Sequence, residues 1–214
     1  MPEQLAFNMD CLEAMRSMPD KAFDLAVVDP PYGVNRFQNG QPTRLNKYGS
    51  METANDLRPT KEYFGELFRV SRNQVIWGYN HLSDLLPATK EFIFWYKHQP
   101  VPTYSDGELA WTSFTKTAKC FDYPYFGSTG ADTERIHPTQ KPVAIYIYIY
   151  RQYAQPGDRI LDTHLGSGSS RIAAYELGLD FVGYEIDKEY FDKQEERFRN
   201  HTAQTSLFHL SGDL

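Results

Sequence analysis

Short apolar runs alternate along this chain with stretches whose apolar positions recur at helical spacing, a pattern that predicts an α/β fold built on a mainly parallel sheet. Strands are expected at 25–29, 74–77, 91–96, 108–112, 159–162 and 181–185, with a further short strand before Asp10. Helices are expected at 11–18, 61–70, 82–86, 169–177 and 188–200. Two polar and aromatic stretches, about 33–60 and 98–135, are longer than ordinary connections and read as functional loop insertions. One segment opposes its own propensity. Residues 144–150 alternate Ile and Tyr, which alone predicts a strand, yet Pro142 suits a helix start and Gln155-Pro156-Gly157 a stop.

A length of 214 residues supports one sizeable α/β core, so a single domain over 1–214 is expected. A net charge of −6 argues against a uniformly basic nucleic-acid binder but not against a basic face. Within 33–60, Arg36, Arg44, Lys47 and Arg58 outnumber Glu52 and Asp56, whereas the acids after Glu185 read as a solvated helix face. Aromatics make up 15% of the chain, which calls for either a tyrosine-rich core or a surface that stacks bases. Cys11 and Cys120 form no CxxC pair, so neither a disulfide framework nor a zinc or other metal site is expected. No secretory leader or membrane-spanning run is visible, and a cytoplasmic protein is the expectation.

The chemistry begins at Asp29-Pro30-Pro31-Tyr32, directly after the apolar run Leu25-Ala26-Val27-Val28. A buried strand ending this way brings an anionic acceptor, a stiff turn and an aromatic face to one point. The prolines fix φ and donate no N–H, leaving carbonyls to face a ligand, and Tyr32 offers a flat π surface. Such a site suits a planar ring bearing an amino group.

A second constellation, Asp162-Thr163-His164-Leu165-Gly166-Ser167-Gly168, joins a strand to a helix. Its glycines let a cofactor approach the backbone, and Glu185, ending the next strand, is placed to accept ribose hydroxyls. The turn lacks Gly-Lys-Ser/Thr, and Asp162 at its entrance would repel a phosphate but attract a cationic amino group. An adenosine carrying an ammonium and no phosphate is S-adenosylmethionine.

Asp29-Pro30-Pro31-Tyr32, then His137-Pro138-Thr139-Gln140-Lys141-Pro142, then Asp162 to Gly168, then Glu185, resembles the permuted β-group of S-adenosylmethionine-dependent DNA amino-methyltransferases, of adenine-N6 type. The resemblance covers the chain apart from its two long loops. It implies a Rossmann-like methyltransferase fold with helices on both sheet faces, a circularly permuted motif order, and a helix after Pro142. It also implies roles. Asp29, Pro30, Pro31 and Tyr32 would be catalytic. Asp162 would meet the cofactor's amino group, Gly166, Ser167 and Gly168 would let its chain pass, and His164 and Leu165 would belong to the same cofactor-binding turn. Glu185 would hold the ribose, Ile186 would pack on the adenine, and Asp10 and Cys11 would contact the same ring. Thr139 and Lys141 would bind the cofactor carboxylate, with His137 orienting their loop. The chain departs from the family where Thr163-His164 replaces the usual Pro-Phe, with His164 expected to pack there neutral.

Double-stranded DNA is the implied partner. Arg36, Arg44, Lys47 and Arg58 are candidates for phosphate or guanine contacts, and Phe37, Tyr48 and Trp111 for stacking or wedging. Recognition elements this small fit a short target site, or a homodimer that shares the work. RNA adenine-N6 methylation, DNA cytosine-N4 methylation and a non-catalytic subunit of a methyltransferase pair stand as alternatives. Asp at position 29 favours adenine, the intact tetrapeptide favours catalysis, and neither cysteine follows a proline, as C5-cytosine chemistry would require.

Overall fold

The computed structural model describes residues 2–33, 57–125 and 135–211, with side chains described to residue 204. Among these the chain runs β1 (Gln4–Phe7), α1 (Cys11–Arg16), β2 (Phe23–Val28), α2 (Lys61–Val70), β3 (Ser71–Trp77), α3 (Tyr79–Leu82), β4 (Phe92–Tyr96), β5 (Gly107–Thr112), β6 (Lys119–Asp122), α4 (Val143–Tyr153), β7 (Arg159–Asp162), α5 (Ser169–Glu176), β8 (Asp180–Tyr184) and α6 (Lys188–Ser211). The strands form one sheet in the order β1-β8-β7-β2-β3-β5-β4-β6. Strand β5 runs antiparallel to both its neighbours, and the other pairings are parallel.

Strand β2 reads as a continuous apolar run because both faces of the sheet are covered. Leu25 and Val27 join a core with Ile145 and Ile149 of α4 and Ala173 of α5. Ala26 and Val28 join the opposite core with Met15 of α1 and Phe64 and Leu67 of α2. Helix α2 carries its signals locally. Thr60 caps it by accepting from the Tyr63 N–H at 3.2 Å, Glu62 and Arg69 suit its dipole, and Tyr63, Phe64, Leu67 and Val70 form one buried stripe.

The Ile-Tyr segment is helical. Its alternation joins two apolar residue types, so a helical face is as apolar as a strand face. Ile145, Tyr146, Ile149 and Tyr150 fill the sheet side of α4, while Ile147 and Tyr148 are half-buried at its flank. Three expectations need correction. The helix expected at 82–86 is instead a single turn, Tyr79–Leu82, launched from Gly78 at φ +79°. A second strand within 98–135, after the expected one at 108–112, was not anticipated. β6 is a four-residue edge strand with alternating half-buried and exposed positions, too short and polar for an apolar signal. Helix α6 continues beyond 200 to Ser211, since Asn200 is followed by neither Gly nor Pro until Gly212.

The chain order reverses between β2 and β7, neighbours in the middle of the sheet. From β7 it proceeds through α5 to β8 on one side, and from β2 through α2 to β3 on the other. Ligands of such sheets bind beyond the carboxyl ends of the strands at this switch point. Ala26 pairs with Leu161, so Asp162 ends β7 level with Val27 and Asp29 follows β2 beside it.

Candidate active site

Three residues fix the Asp29 turn. The Tyr32 hydroxyl donates to Asp29 Oδ1 at 2.5 Å, and the Lys141 ammonium donates to Asp29 Oδ2. The Tyr32 ring stacks on His81, with centroids 5.1 Å apart and planes 19° off parallel. Gly78 makes room for this. A Cβ added there would lie 2.1 Å from the ring, and its φ of +79° also favours glycine. Buried Lys141 reaches a second carboxylate, Glu108 Oε2, at 3.2 Å, and Glu108 Oε1 accepts from Lys97. Burial would raise the Glu108 carboxyl, but Lys141 and Lys97 together hold it down at about 2.

The glycine turn lies beside this group. Asp162 is buried, its Oδ1 accepting from the His164 N–H at 3.0 Å and its Oδ2 from the Ser170 hydroxyl. Burial pushes its carboxyl up to about 7, with Asp29 and Glu185 adding repulsion. Gly166 and Gly168 take φ +51° and +74°, and the Gly166 N–H donates to Glu185 Oε2 at 2.8 Å. Glu185 Oε1 accepts from the Asp187 N–H at 2.9 Å, so the carboxylate is braced at the turn's mouth. Asn8 holds that loop by donating to the carbonyls of Glu185 and Ile186 at 2.8 and 3.1 Å. Ile186 presents an exposed apolar face, 57% accessible.

The expected residues of the two turns thus meet at the carboxyl ends of β2 and β7, and several have partners within the protein. Asp10 caps α1 by accepting from the Glu13 N–H at 2.9 Å. Burial, with Asp10 nearby, pushes the Cys11 thiol up to about 12, which removes it as a nucleophile at neutral pH. The Thr139 hydroxyl meets His137 Nδ1 at 3.1 Å. His137 packs over Gly166 and edge-on to Tyr190 at 4.4 Å, and burial, reinforced by Lys141, lowers it to about 4. His164 sits edge-on to Tyr63 at 5.5 Å and is likewise lowered to about 4 by burial, so an aromatic contact survives with a neutral imidazole. Leu165 is buried in the core under the turn and Ser167 is buried against Ser169 at 3.1 Å. Lys141, expected from the resemblance to bind a cofactor carboxylate, pairs with Asp29 and Glu108.

Among the recognition candidates, Arg58 pairs with Asp84 and donates to the His81 carbonyl at 3.0 Å, tying the chain after the first insertion to α3. Trp111 is no wedge. It is a core residue whose indole N–H donates to the Pro87 carbonyl at 2.7 Å. Arg36, Phe37, Arg44, Lys47 and Tyr48 lie outside the described residues. Sequence reading missed Lys97, Glu108 and His81. The first two are brought together by the antiparallel β4–β5 pairing, and Glu108 alone of them reaches Lys141, which leaves no short-range signal. A cleft of about 400 Å³ lined by Pro87, Thr89, Trp111 and Phe114 opens elsewhere and includes no residue of the Asp29 turn or the glycine turn.

Fold and site together define a Rossmann-like transferase with a nucleoside-cofactor turn beside an Asp-Pro-Pro-Tyr acceptor site. The model of the N6_N4_Mtase family, described as DNA methylase, matches residues 61–196, and the chain belongs to that family of S-adenosylmethionine-dependent DNA methyltransferases. It is similar to the type II methyltransferase M.HpaI of Haemophilus parainfluenzae, 25% identical over 240 residues covering 91% of this chain and 74% of that one. The type II methyltransferase M.BglII of Bacillus subtilis is 26% identical over 244 residues, 87% of this chain and 66% of the other. The crystal structure of the M1.HpyAVI–SAM complex shares the fold with TM-score 0.61 and 22% identity, covering 90% of this chain and 98% of its own.

The residues present fit S-adenosylmethionine. Asp162 has no ion pair among the described residues and faces repulsion from two further carboxylates, which a ligand bearing an ammonium and a sulfonium would relieve. The braced Glu185 carboxylate and exposed Ile186 supply a hydroxyl acceptor and an apolar surface for a nucleoside.

Proposed function

We propose that this methyltransferase modifies the N6 amino group of adenine in double-stranded DNA, as a site-specific enzyme of the restriction–modification kind. The observation that carries the reading is the Asp29 carboxylate, held at the switch point by Tyr32 and Lys141 beside the glycine turn. Asp162 would hold the cofactor's amino group, Glu185 its ribose hydroxyls and Ile186 its adenine. When bound, S-adenosylmethionine supplies a sulfonium-activated methyl group.

The chain's own residues supply orientation and acceptors. An exocyclic amine is a poor nucleophile because its lone pair is delocalised into the ring. Asp29 and the Pro30 carbonyl accept its two N–H bonds, which favours a pyramidal nitrogen with a localised lone pair and stabilises charge developing there. Direct attack needs no covalent enzyme intermediate, in keeping with the raised Cys11 thiol. The base must leave the duplex, at a cost of a few kcal/mol, and stacking on Tyr32 returns ~1–3 kcal/mol. Tyr32 is pre-set for this by His81 behind its ring and the hydroxyl bond to Asp29.

Support for adenine over cytosine comes from Asp rather than Ser at position 29; the family covers both chemistries. Purified protein incubated with S-adenosylmethionine and unmethylated DNA should yield N6-methyladenine on nucleoside mass spectrometry. N4-methylcytosine alone would overturn the adenine assignment, and methylation of RNA alone would overturn the DNA assignment.

A further inference from the structure

We infer that Glu108 is a positioning residue for methyl transfer, sharing the Lys141 ammonium with Asp29 so that Asp29 can yield it when the target amine arrives. The inference rests on Asp29 being the amine's acceptor. Four groups of alternating sign form a line from the site into the sheet. Lys141 Nζ bonds Asp29 Oδ2 and lies 3.2 Å from Glu108 Oε2, while Lys97 bonds Glu108 Oε1. The Lys141 side chain is 5% exposed, so its ammonium has almost no water to turn to. Beneath the two lysines lie two indoles. Lys141 Nζ is 5.1 Å from the Trp77 ring and Lys97 Nζ 4.5 Å from the Trp95 ring, and the rings meet edge to face at 6.2 Å.

This geometry answers a difficulty at the Asp29 acceptor. Without substrate, one Asp29 oxygen is taken by Tyr32 and the other by Lys141. An incoming amine must compete with a charge-assisted bond, which is stronger than the neutral bond it offers. Were Asp29 the sole partner of a buried ammonium, separating them would leave both charges uncompensated. Glu108 removes that obstacle, because a short swing of Nζ exchanges one carboxylate for another. Lys141 and Lys97 together keep Glu108 anionic, and the strand pairing that sets Trp95 opposite Glu108 fixes the spacing. On this view strands β4 and β5 serve the reaction through the ion pairs alone.

The test compares Glu108→Gln, which keeps shape and loses charge, with Glu108→Asp, which keeps charge and withdraws it by one methylene. Methyl transfer to unmethylated plasmid DNA is followed for kcat and KM, with S-adenosylmethionine affinity and melting midpoint measured in parallel. A positioning role lowers kcat about tenfold in Glu108→Gln and at least about threefold in Glu108→Asp, with cofactor affinity changed less than about twofold. Wild-type kcat in both variants would overturn it. So would full recovery in Glu108→Asp, which would reduce the residue to charge balance, or a parallel loss of cofactor binding. If Glu108→Gln does not fold, Glu108→Asp decides by the same criterion. The underlying reading fails separately: Asp29→Ala with retained turnover refutes it, whereas an inactive Asp29→Ala beside fully active Glu108 variants refutes only the role of Glu108.

Discussion

Asp162 is a carboxylate whose charge is disfavoured until a cation arrives. Burial, helped by Asp29 and Glu185, raises its pKa from 3.8 to about 7. A group raised in the folded state contributes stability below its unfolded pKa and loses that contribution as pH rises through about 7. A cationic amino group reverses the balance by pairing with the ionised form. S-adenosylmethionine affinity should therefore weaken about tenfold between pH 8 and pH 6, and the cofactor's thermal stabilisation should shrink over the same range. Calorimetric titration at the two values checks this, and Asp162→Asn should bind weakly with a flattened pH profile. Equal wild-type affinity at both values would show that Asp162 does not meet the amino group. The acids at 29, 162 and 185 were legible in the sequence because each ends an apolar run at a turn. The pairing of Lys141 with Asp29 and Glu108 was not, since an ion pair between residues 29 and 141 has no local pattern.

Among the elements, α4 shows most clearly where sequence reading needs tertiary structure. Its Ile-Tyr alternation permits two periods, and the packing of Ile145, Tyr146, Ile149 and Tyr150 onto the sheet selects the helical one. A strand would place Ile147 and Ile149 on one face, whereas the helix buries Ile149 fully and leaves Ile147 at the flank. Ile149→Ala should cost about 2–5 kcal/mol in chemical denaturation, and Ile147→Ala should cost clearly less. Equal losses would contradict the helix. Other elements were easier to read: α2 matches its expected bounds through its cap and buried stripe, and β7 through its short apolar run before the glycine turn. The edge strand β6 and the single-turn α3 have neither length nor periodicity to signal them.

In the whole molecule, a mainly parallel sheet whose order reverses between β2 and β7 brings together two turns that lie more than a hundred residues apart in sequence. The Asp-Pro-Pro-Tyr turn comes first and the cofactor turn second, yet the sheet makes them neighbours at its carboxyl edge. That juxtaposition is why the motif order could point to the activity before any geometry was known. On the proposed assignment it also separates the two duties of the site, Asp29 serving the target base and Asp162 and Glu185 the cofactor. The separation is open to a direct measurement in Asp29→Ala, comparing methyl transfer to DNA with S-adenosylmethionine affinity. The arrangement predicts loss of transfer by about a hundredfold or more, with cofactor affinity retained within a few-fold. Near wild-type turnover in that variant would contradict the assignment of Asp29 as the acceptor of the target amine.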